Sequence, residues 1–319
     1  YGKLDYFLSV QSFPAMLDHY WNVEGRPVIE QVLNLTPSQR NALFQFLARN
    51  ARPEHRYYRY DFFFDNCSTR IRDVLETVLG DSLRFAPEPN PEQSFRHLID
   101  PYLVEQPFLD FGMDLGLGTP ADRIATPRET MFLPLHLMTA FDHATVTIDG
   151  AGHPLVARTD TLAWSEEQVV LQPSLPWPAL LLWILFALGL FVTIRDVRAA
   201  RTERRLFDGL LFGMIGGAGV VIVFLWFISL HTVTQWNYNL LWAWPFHLVA
   251  APALMRRSQA RWLRGYLLAT ALVVLGVVLG WFFWPQDLPA AVLPLVLLLA
   301  VRSAGLTFTR SMKKERAPA

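Results

Sequence analysis

Apolar and polar positions follow two regimes along this chain, and they change over near residue 170. Before that point the patterns are short. Leu4 to Val10 reads as a strand and Phe13 to Trp21 as a short helix; Val28 to Leu35 reads as a second strand whose alternation puts Ile29, Leu33 and Leu35 on one face. Thr36-Pro37-Ser38-Gln39 supplies an N-cap, a proline at the first helical position and a glutamine to close a capping box. A helix is therefore predicted to about Arg49 on Leu43, Phe44, Phe46 and Leu47, ending before Pro53. Tyr57 to Phe64 is an aromatic stretch interrupted by Arg59 and Asp61, and it reads as extended chain, either one wall of a cleft or plain core. Next, Ile71, Val74, Leu75, Val78 and Leu79 recur at steps of three and four, with Arg72, Asp73, Glu76 and Thr77 between them and Gly80 as the stop. That spacing predicts an amphipathic helix.

Pro87 to Glu92 reads as a loop, and Phe95 to Met113 as helical but broken at Pro101 and Pro107. Thr126-Pro127-Arg128-Glu129 repeats the capping signature and opens a helix through Phe141, with a kink at Pro134 and His136 in its middle. Asp149-Gly150, between Val146 and Pro154, signals a hairpin that brings the domain to Trp164. The mixture is α+β without internal repeats. Gly112 to Gly118 is glycine-rich, but it neither follows a strand nor opens a helix as a phosphate-binding loop does.

Beyond residue 170 come five apolar runs, at about 177–194, 209–230, 238–255, 266–284 and 289–306, each near the length a helix needs to cross hydrocarbon. The predicted organisation is thus an outer domain over 1–170 and a five-helix transmembrane bundle over 171–319. Arg195, Arg198, Arg201, Arg204 and Arg205 separate the first two runs, Arg256, Arg257, Arg261 and Arg264 the third and fourth, and Arg302, Arg310, Lys313, Lys314 and Arg316 follow. The two opposite loops carry no Lys or Arg. Positive-inside puts the N-terminal domain outside the cytoplasm and the C-terminus within it, with Trp164, Trp177, Trp236, Trp281 and Trp284 near one outer interface. Gly213 with Gly217, and Gly276 with Gly280, are spaced for close helix packing. The outer loop from His231 to Asn239, running into Leu240-Leu241-Trp242, gathers polar groups at the mouth of the bundle. It either completes an active site or anchors the interface. His247 lies within the third run, where structural hydrogen bonding and catalysis are both open.

Composition adds little to this division: 319 residues, 52% hydrophobic, 11 Trp and zero formal net charge suit a globular domain joined to a membrane part. No basic stripe with interleaved aromatics occurs in the first half, which argues against nucleic acid. The chain opens at Tyr1 without methionine or a signal-like segment, so the natural start is expected earlier.

One cysteine excludes an internal disulfide and concentrates the chemistry at Cys67. With Asp65 or Asn66 as N-cap, the thiol would lie in the first turn of its helix, where unpaired N–H groups and the macrodipole favour a thiolate. Arg70, one turn on, would favour it further, as around a nucleophilic cysteine. The plainer reading is a small buried residue on an apolar face.

The stretch Arg-Tyr-Tyr-Arg-Tyr-Asp-Phe-Phe-Phe-Asp-Asn-Cys-Ser-Thr-Arg-Ile-Arg-Asp-Val-Leu ending at Leu75 resembles the Lnb family. The likeness extends to Gly2-Lys3-Leu4-Asp5-Tyr6, Leu35-Thr36-Pro37, the Ala121-Asp122-Arg123 region and Asn237-Tyr238-Asn239-Leu240-Leu241-Trp242. It implies a periplasmic papain-like (permuted NlpC/P60-like) domain on a helical anchor in the bacterial inner membrane, acting as a lipoprotein N-acyltransferase without cofactor or metal. The resemblance also implies a histidine from a Gly-His segment upstream of the cysteine, and none precedes Cys67 here. His19, His55, His97, His136, His143 and His153 do not match that pattern.

On this reading Cys67 takes an acyl group from a phospholipid and passes it to a lipoprotein amine, membrane lipid being both setting and substrate. Backbone N–H groups at Cys67 and Ser68 would form an oxyanion hole, with Asn66, Asn237 or Asn239 adding a donor and His231 and Arg70 as auxiliaries. Two rivals remain open: a membrane-anchored cysteine amidase or peptidase of the cell wall, and a non-catalytic envelope scaffold in which Cys67 is buried.

Overall fold

A computed structural model describes residues 2–86, 92–164, 173–199, 205–256 and 261–315, with side chains to residue 309. Most of the loop expected from Pro87 to Glu92, and Arg201, Arg204, Arg257 and Arg316 of the positive clusters, lie outside the described residues, as do the side chains of Arg310, Lys313 and Lys314. In chain order the elements begin β1 (Asp5–Phe7), α1 (Phe13–Asp18, continued by a π-turn to Val23), β2 (Val28–Leu33), α2 (Pro37–Asn50), β3 (Tyr57–Arg59), α3 (Cys67–Leu79) and β4 (Leu83–Arg84). They continue with α4 (Phe95–Ile99), α5 (Pro107–Gly116), α6 (Pro127–Thr130), α7 (Pro134–His143), β5 (Thr145–Ile148), β6 (Ala151–Pro154) and β7 (Val156–Ala163). The apolar half holds α8 (Trp177–Ala199), α9 (Arg205–Phe227), α10 (His247–Met255), α11 (Trp262–Leu279) and α12 (Leu293–Glu315).

Two compact units result, and the boundary is not the single cut expected near 170. One unit comprises Gly2–Leu98 and Ile124–Val170; the other comprises Ile99–Arg123 together with Leu171–Ala319. The segment around α5 therefore belongs with the apolar helices.

The first unit is mixed helix and sheet. Its described strands form three small antiparallel sheets, β1-β3, β2-β7 and β4-β5-β6. The predicted capping box at Thr36 and Gln39 opens α2, and a second at Thr126 and Glu129 opens α6. Pro134 does more than kink: it starts a separate helix, because a proline has no N–H to continue the ladder and suits a first turn. The hairpin turns at Asp149 and Gly150, both at positive φ, as a tight right-twisted ribbon requires. Of the residues expected on one face of β2, Ile29 is exposed while Leu33 is half-buried.

The buried face of α3 differs from its apolar spacing. Ser68, Thr69, Arg72, Leu75 and Leu79 face inward, while Ile71 is 53% exposed. Arg72 tolerates burial because its guanidinium donates to the Arg128 carbonyl (2.8 Å) and to Asp73 (2.7 and 2.8 Å), leaving little of the charge unpartnered. Leu75 and Leu79 pack with Met131, Leu137, Phe141, Val146 and Leu155. The expected extended run to Phe64 stops at Arg59; Asp61 to Asp65 closes as a turn, with Asp61 N and Asp65 N each donating to the other's carbonyl at 3.0 Å. Asp61 Oδ1 accepts from the N–H groups of Phe63 and Phe64, and this bend drives Phe63 into contact with Phe95 and Phe132.

In the second unit, α8, α9, α11 and the region Ala290–Thr309 are long and apolar enough to cross a membrane. The third predicted run, 238–255, is not one helix: a 3-10 turn at Tyr238–Leu241 and a bend lead to the nine-residue α10. Pro245 removes a donor and disfavours helix at Trp244. Close approach of α9 to α10 runs through Gly209, Gly216 and Gly219, where a Cβ would collide with Met255, with the backbone at His247–Leu248 and with the Ala243 carbonyl. Of the predicted pairs, a Cβ on Gly213 would lie 3.8 Å from Ala251 of α10 and one on Gly280 beside the Gly276 carbonyl and Trp284, whereas a Cβ on Gly217 or Gly276 meets nothing within 4 Å. Arg302 is not a free charge after the last span, since it is wholly buried in α12. It binds both oxygens of Asp208 at 2.8 Å, Asp196 at 3.1 Å and the Thr193 hydroxyl at 3.1 Å.

Candidate active site

The peptide N–H groups at the start of a helix have no carbonyl a turn earlier to accept them, and α3 solves this from its own sequence. Asn66 Oδ1 accepts from Thr69 N–H at 2.9 Å, and Thr69 Oγ1 accepts from Asn66 N–H at 2.8 Å. Of the two expected N-caps it is thus Asn66. Its amide nitrogen donates to the carbonyls of Phe62 (2.8 Å) and Phe132 (2.9 Å), so Asn66 is buried and fully engaged and has no donor left for a substrate. Cys67 is the first residue of the helix, and it is exposed, which removes the buried-cysteine reading. Ser68 is buried beneath it.

Arg70 lies on the same turn, held by Asp65: Nη2 donates to Oδ2 at 2.7 Å and Nε to Oδ1. That bond is the main reason the guanidinium stays protonated even more firmly than usual. Arg70 also lies 4.3 Å over the Tyr58 ring. Tyr6 stands opposite Tyr58 in the β1-β3 ribbon, and it stacks on Tyr60 at 4.3 Å. Burial, and then the Cys67 sulfur, push the Tyr60 hydroxyl up to about 12; the same two causes, in that order, raise Tyr58. Both phenols therefore stay protonated donors beside the thiol. Of the aromatic stretch expected as a cleft wall or as plain core, Tyr58 and Tyr60, at strand spacing ahead of the cysteine, thus form a face beside the thiol.

Among the histidines, His19 pairs with Glu24 (2.9 Å), His97 with Ser94 (3.2 Å) and His143 with the Thr139 carbonyl (2.9 Å). In the second unit, His231 Nδ1 is 3.3 Å from the Ser229 hydroxyl. Asn237 and Asn239, expected to offer a spare amide, are completely buried. Asn237 Nδ2 donates to the carbonyls of Leu115, Gly116 and Leu117 at 2.8–3.3 Å, and Asn239 Oδ1 accepts from Trp242 Nε1 at 3.0 Å. Their amides build the loop. His247 is likewise structural, held between the Trp242 carbonyl (3.1 Å) and the Tyr266 hydroxyl (2.7 Å). Asp100, Asp110 and Asp114 bring oxygens within 4.8 Å of one another, the one acidic cluster of metal-ligand type among the described residues.

Residues 1–100 match the family model of the Lnb N-terminal periplasmic domain, and residues 171–314 match that of the Lnb transmembrane domain. The chain belongs to the Lnb family. No curated protein and no solved structure matches it. It is thus a membrane protein with a periplasmic N-terminal domain, and of the other segments carrying the likeness two lie in the unit of Cys67 while Ala121–Arg123 and Asn237–Trp242 lie in the other. Gly2–Tyr6 reaches the cysteine turn through β1-β3 and through an ion pair of Lys3 with Asp61 (2.9 Å), while Leu35-Thr36-Pro37 opens α2, which packs on α3. Asn237 to Trp242, by contrast, belongs to the transmembrane unit.

Proposed function

We propose that this Lnb chain is a lipoprotein N-acyltransferase that carries a fatty acyl group on Cys67. The observation that supports it is an exposed thiol at the first position of a helix opened by a capping box, joined on one chain to a transmembrane domain. The Cys67 thiolate adds to the ester carbonyl of a phospholipid; the C–O bond breaks, and the lysophospholipid oxygen leaves and takes up a proton. The neutral amine of a diacylglyceryl-cysteine lipoprotein then adds to the thioester carbonyl. The C–S bond breaks, thiolate returns, and the nitrogen gives up a proton to become the amide. The first-turn N–H groups of Cys67 and Ser68 are the donors an oxyanion would meet, since the amide nitrogens of Asn66, Asn237 and Asn239 donate to backbone carbonyls.

Both substrates are membrane-bound, so tethering the thiol to the bilayer confines the reacting groups to one layer. A sulfur at the head of a helix that follows a strand suits a papain-like, NlpC/P60-like reading of the domain. We read 238–255 as a fifth crossing built of short pieces, and the chain as an inner-membrane protein with a cytoplasmic C-terminus. Exposed Arg195, Arg198, Arg256, Arg261 and Arg264 still mark one end of the bundle, and the loops free of Lys and Arg mark the other.

Mass spectrometry of a lipoprotein N-terminus in cells relying on this chain tests the reading. Cys67→Ala and Cys67→Ser should abolish N-acylation. Unchanged acylation would overturn the proposal, and release of cell-wall peptides with acylation unaffected would assign the thiol to an amidase.

A further inference from the structure

The helix α5 lies between the two stretches that match the family, and it is placed by the transmembrane unit. At 100° per residue, Phe111, Leu115, Phe108, Gly112, Leu109 and Met113 form one broad apolar arc, and Asp110 and Asp114 form the opposite face. Among the described residues Phe111 and Leu115 pack against the core of the bundle and Met113 and Gly116 are half-buried, while Phe108 is 59% and Leu109 49% exposed.

The two ends of α5 fix its depth. Just before it, the Val104 carbonyl accepts from Ser174 N–H (3.0 Å) and Oγ (3.1 Å), immediately ahead of α8. At its end, the carbonyls of Leu115 to Leu117 accept from Asn237, Leu117 accepts also from Gln286 Nε2 (3.0 Å), and Gly118 N–H donates to Val233 O (2.8 Å). Residue 174 precedes α8, Val233 and Asn237 follow α9, and Gln286 precedes α12. All three connections lie at the end of the bundle opposite the arginine-rich turns. The helix therefore runs across the ends of the spans and contacts α8 and α9. On α8, which α5 contacts and which is long and apolar enough to cross a membrane, Leu180, Leu181 and Ile184 are likewise exposed.

We propose that α5 is an interfacial helix, lying in the plane of the membrane with Phe108 and Leu109 inserted at the boundary between headgroups and acyl chains. The occupant of the exposed arc is lipid. Because the polar face carries aspartates rather than the basic residues of surface-adsorbed helices, insertion rests on apolar area and does not need anionic headgroups.

The test uses the full chain in nanodiscs containing a phospholipid with a diazirine near the top of one acyl chain, followed by mass spectrometry. Adducts on Phe108 and Leu109 should match in yield those on Leu180 and Leu181 of α8. The yield should be the same with and without phosphatidylglycerol. As a second measurement, a nitroxide on Leu109→Cys in a Cys67→Ser background should show a depth parameter shifted toward oxygen over an aqueous nickel chelate. Adducts on α8 but not α5, labelling that needs anionic lipid, or shielding that appears only when the protein concentration is raised would overturn the proposal; the last outcome would assign the arc to a second copy of the chain. No readout requires activity, so failure here leaves the acyl-transfer reading untouched.

Discussion

Replacing Asn66 tests whether this residue builds the site or works in it. The side chain makes three bonds: it caps Thr69 N–H and donates to the buried Phe132 carbonyl and to that of Phe62. Loss of an N-cap costs about 1 kcal/mol, and a buried carbonyl left without its donor costs about 1–3 kcal/mol. Because the three bonds share one side chain and the surroundings relax, Asn66→Ala should destabilise the periplasmic unit by about 2–4 kcal/mol rather than by the full sum. Hydrogen exchange of α3 amides in the full chain reads this directly, since 1.4 kcal/mol is a factor of ten; the rates should rise by roughly 30- to 1000-fold. Asn66→Ser keeps an acceptor for Thr69 but cannot reach the two carbonyls, so it should recover only about 1 kcal/mol. If Asn66→Ala left α3 exchange unchanged while N-acylation collapsed, Asn66 would be an oxyanion donor and the structural argument would fail.

Removing the guanidinium in Arg302→Met should cost about 3–5 kcal/mol of bundle stability, because Asp208 and Asp196 lose their common buried cation; thermal unfolding in detergent measures it, and a wild-type melt would refute it. Gly219→Ala places a methyl on the Ala243 carbonyl and should destabilise by about 1–3 kcal/mol, whereas Gly217→Ala, facing open space, should be neutral or gain up to about 1 kcal/mol in the same assay. Tyr60 has its folded-state ionisation raised to about 12 against an ordinary value near 10. Its contribution to stability is therefore fully present below pH 10 and is lost as pH rises from 10 to 12. Tyr60→Phe should flatten that part of the unfolding profile, and an identical slope in both proteins would show that another group titrates there.

The local chemistry of the site was legible because it is written in adjacent residues. Asn66 and Thr69 cap a helix whatever surrounds it, Thr36 with Gln39 and Thr126 with Glu129 do the same, and Asp149-Gly150 turns wherever it falls. The place of Cys67 at a helix start follows from those signals and the family from the residues around it, whereas its exposure was left open by the sequence and is a finding of the structure. Other expectations failed where distant residues compete. Arg72 displaced Ile71 from the inner face because the Arg128 carbonyl and Asp73 were in reach, and the tightest approaches to the segment 243–255 fall at Gly209, Gly216 and Gly219 rather than at the expected Gly213 and Gly217.

What the sequence by itself determined is the set of decisions made over a turn or two of chain: where the capped helices open, which long runs are apolar enough for lipid, and that one thiol stands at the head of a helix. Only the tertiary structure decided which polar groups were still free for chemistry, and that 99–123 belongs with the membrane helices. The physical reason is that a hydrogen bond such as Asn237 to Leu115 closes over more than a hundred residues, and no periodicity along the chain records which carbonyl an amide will meet.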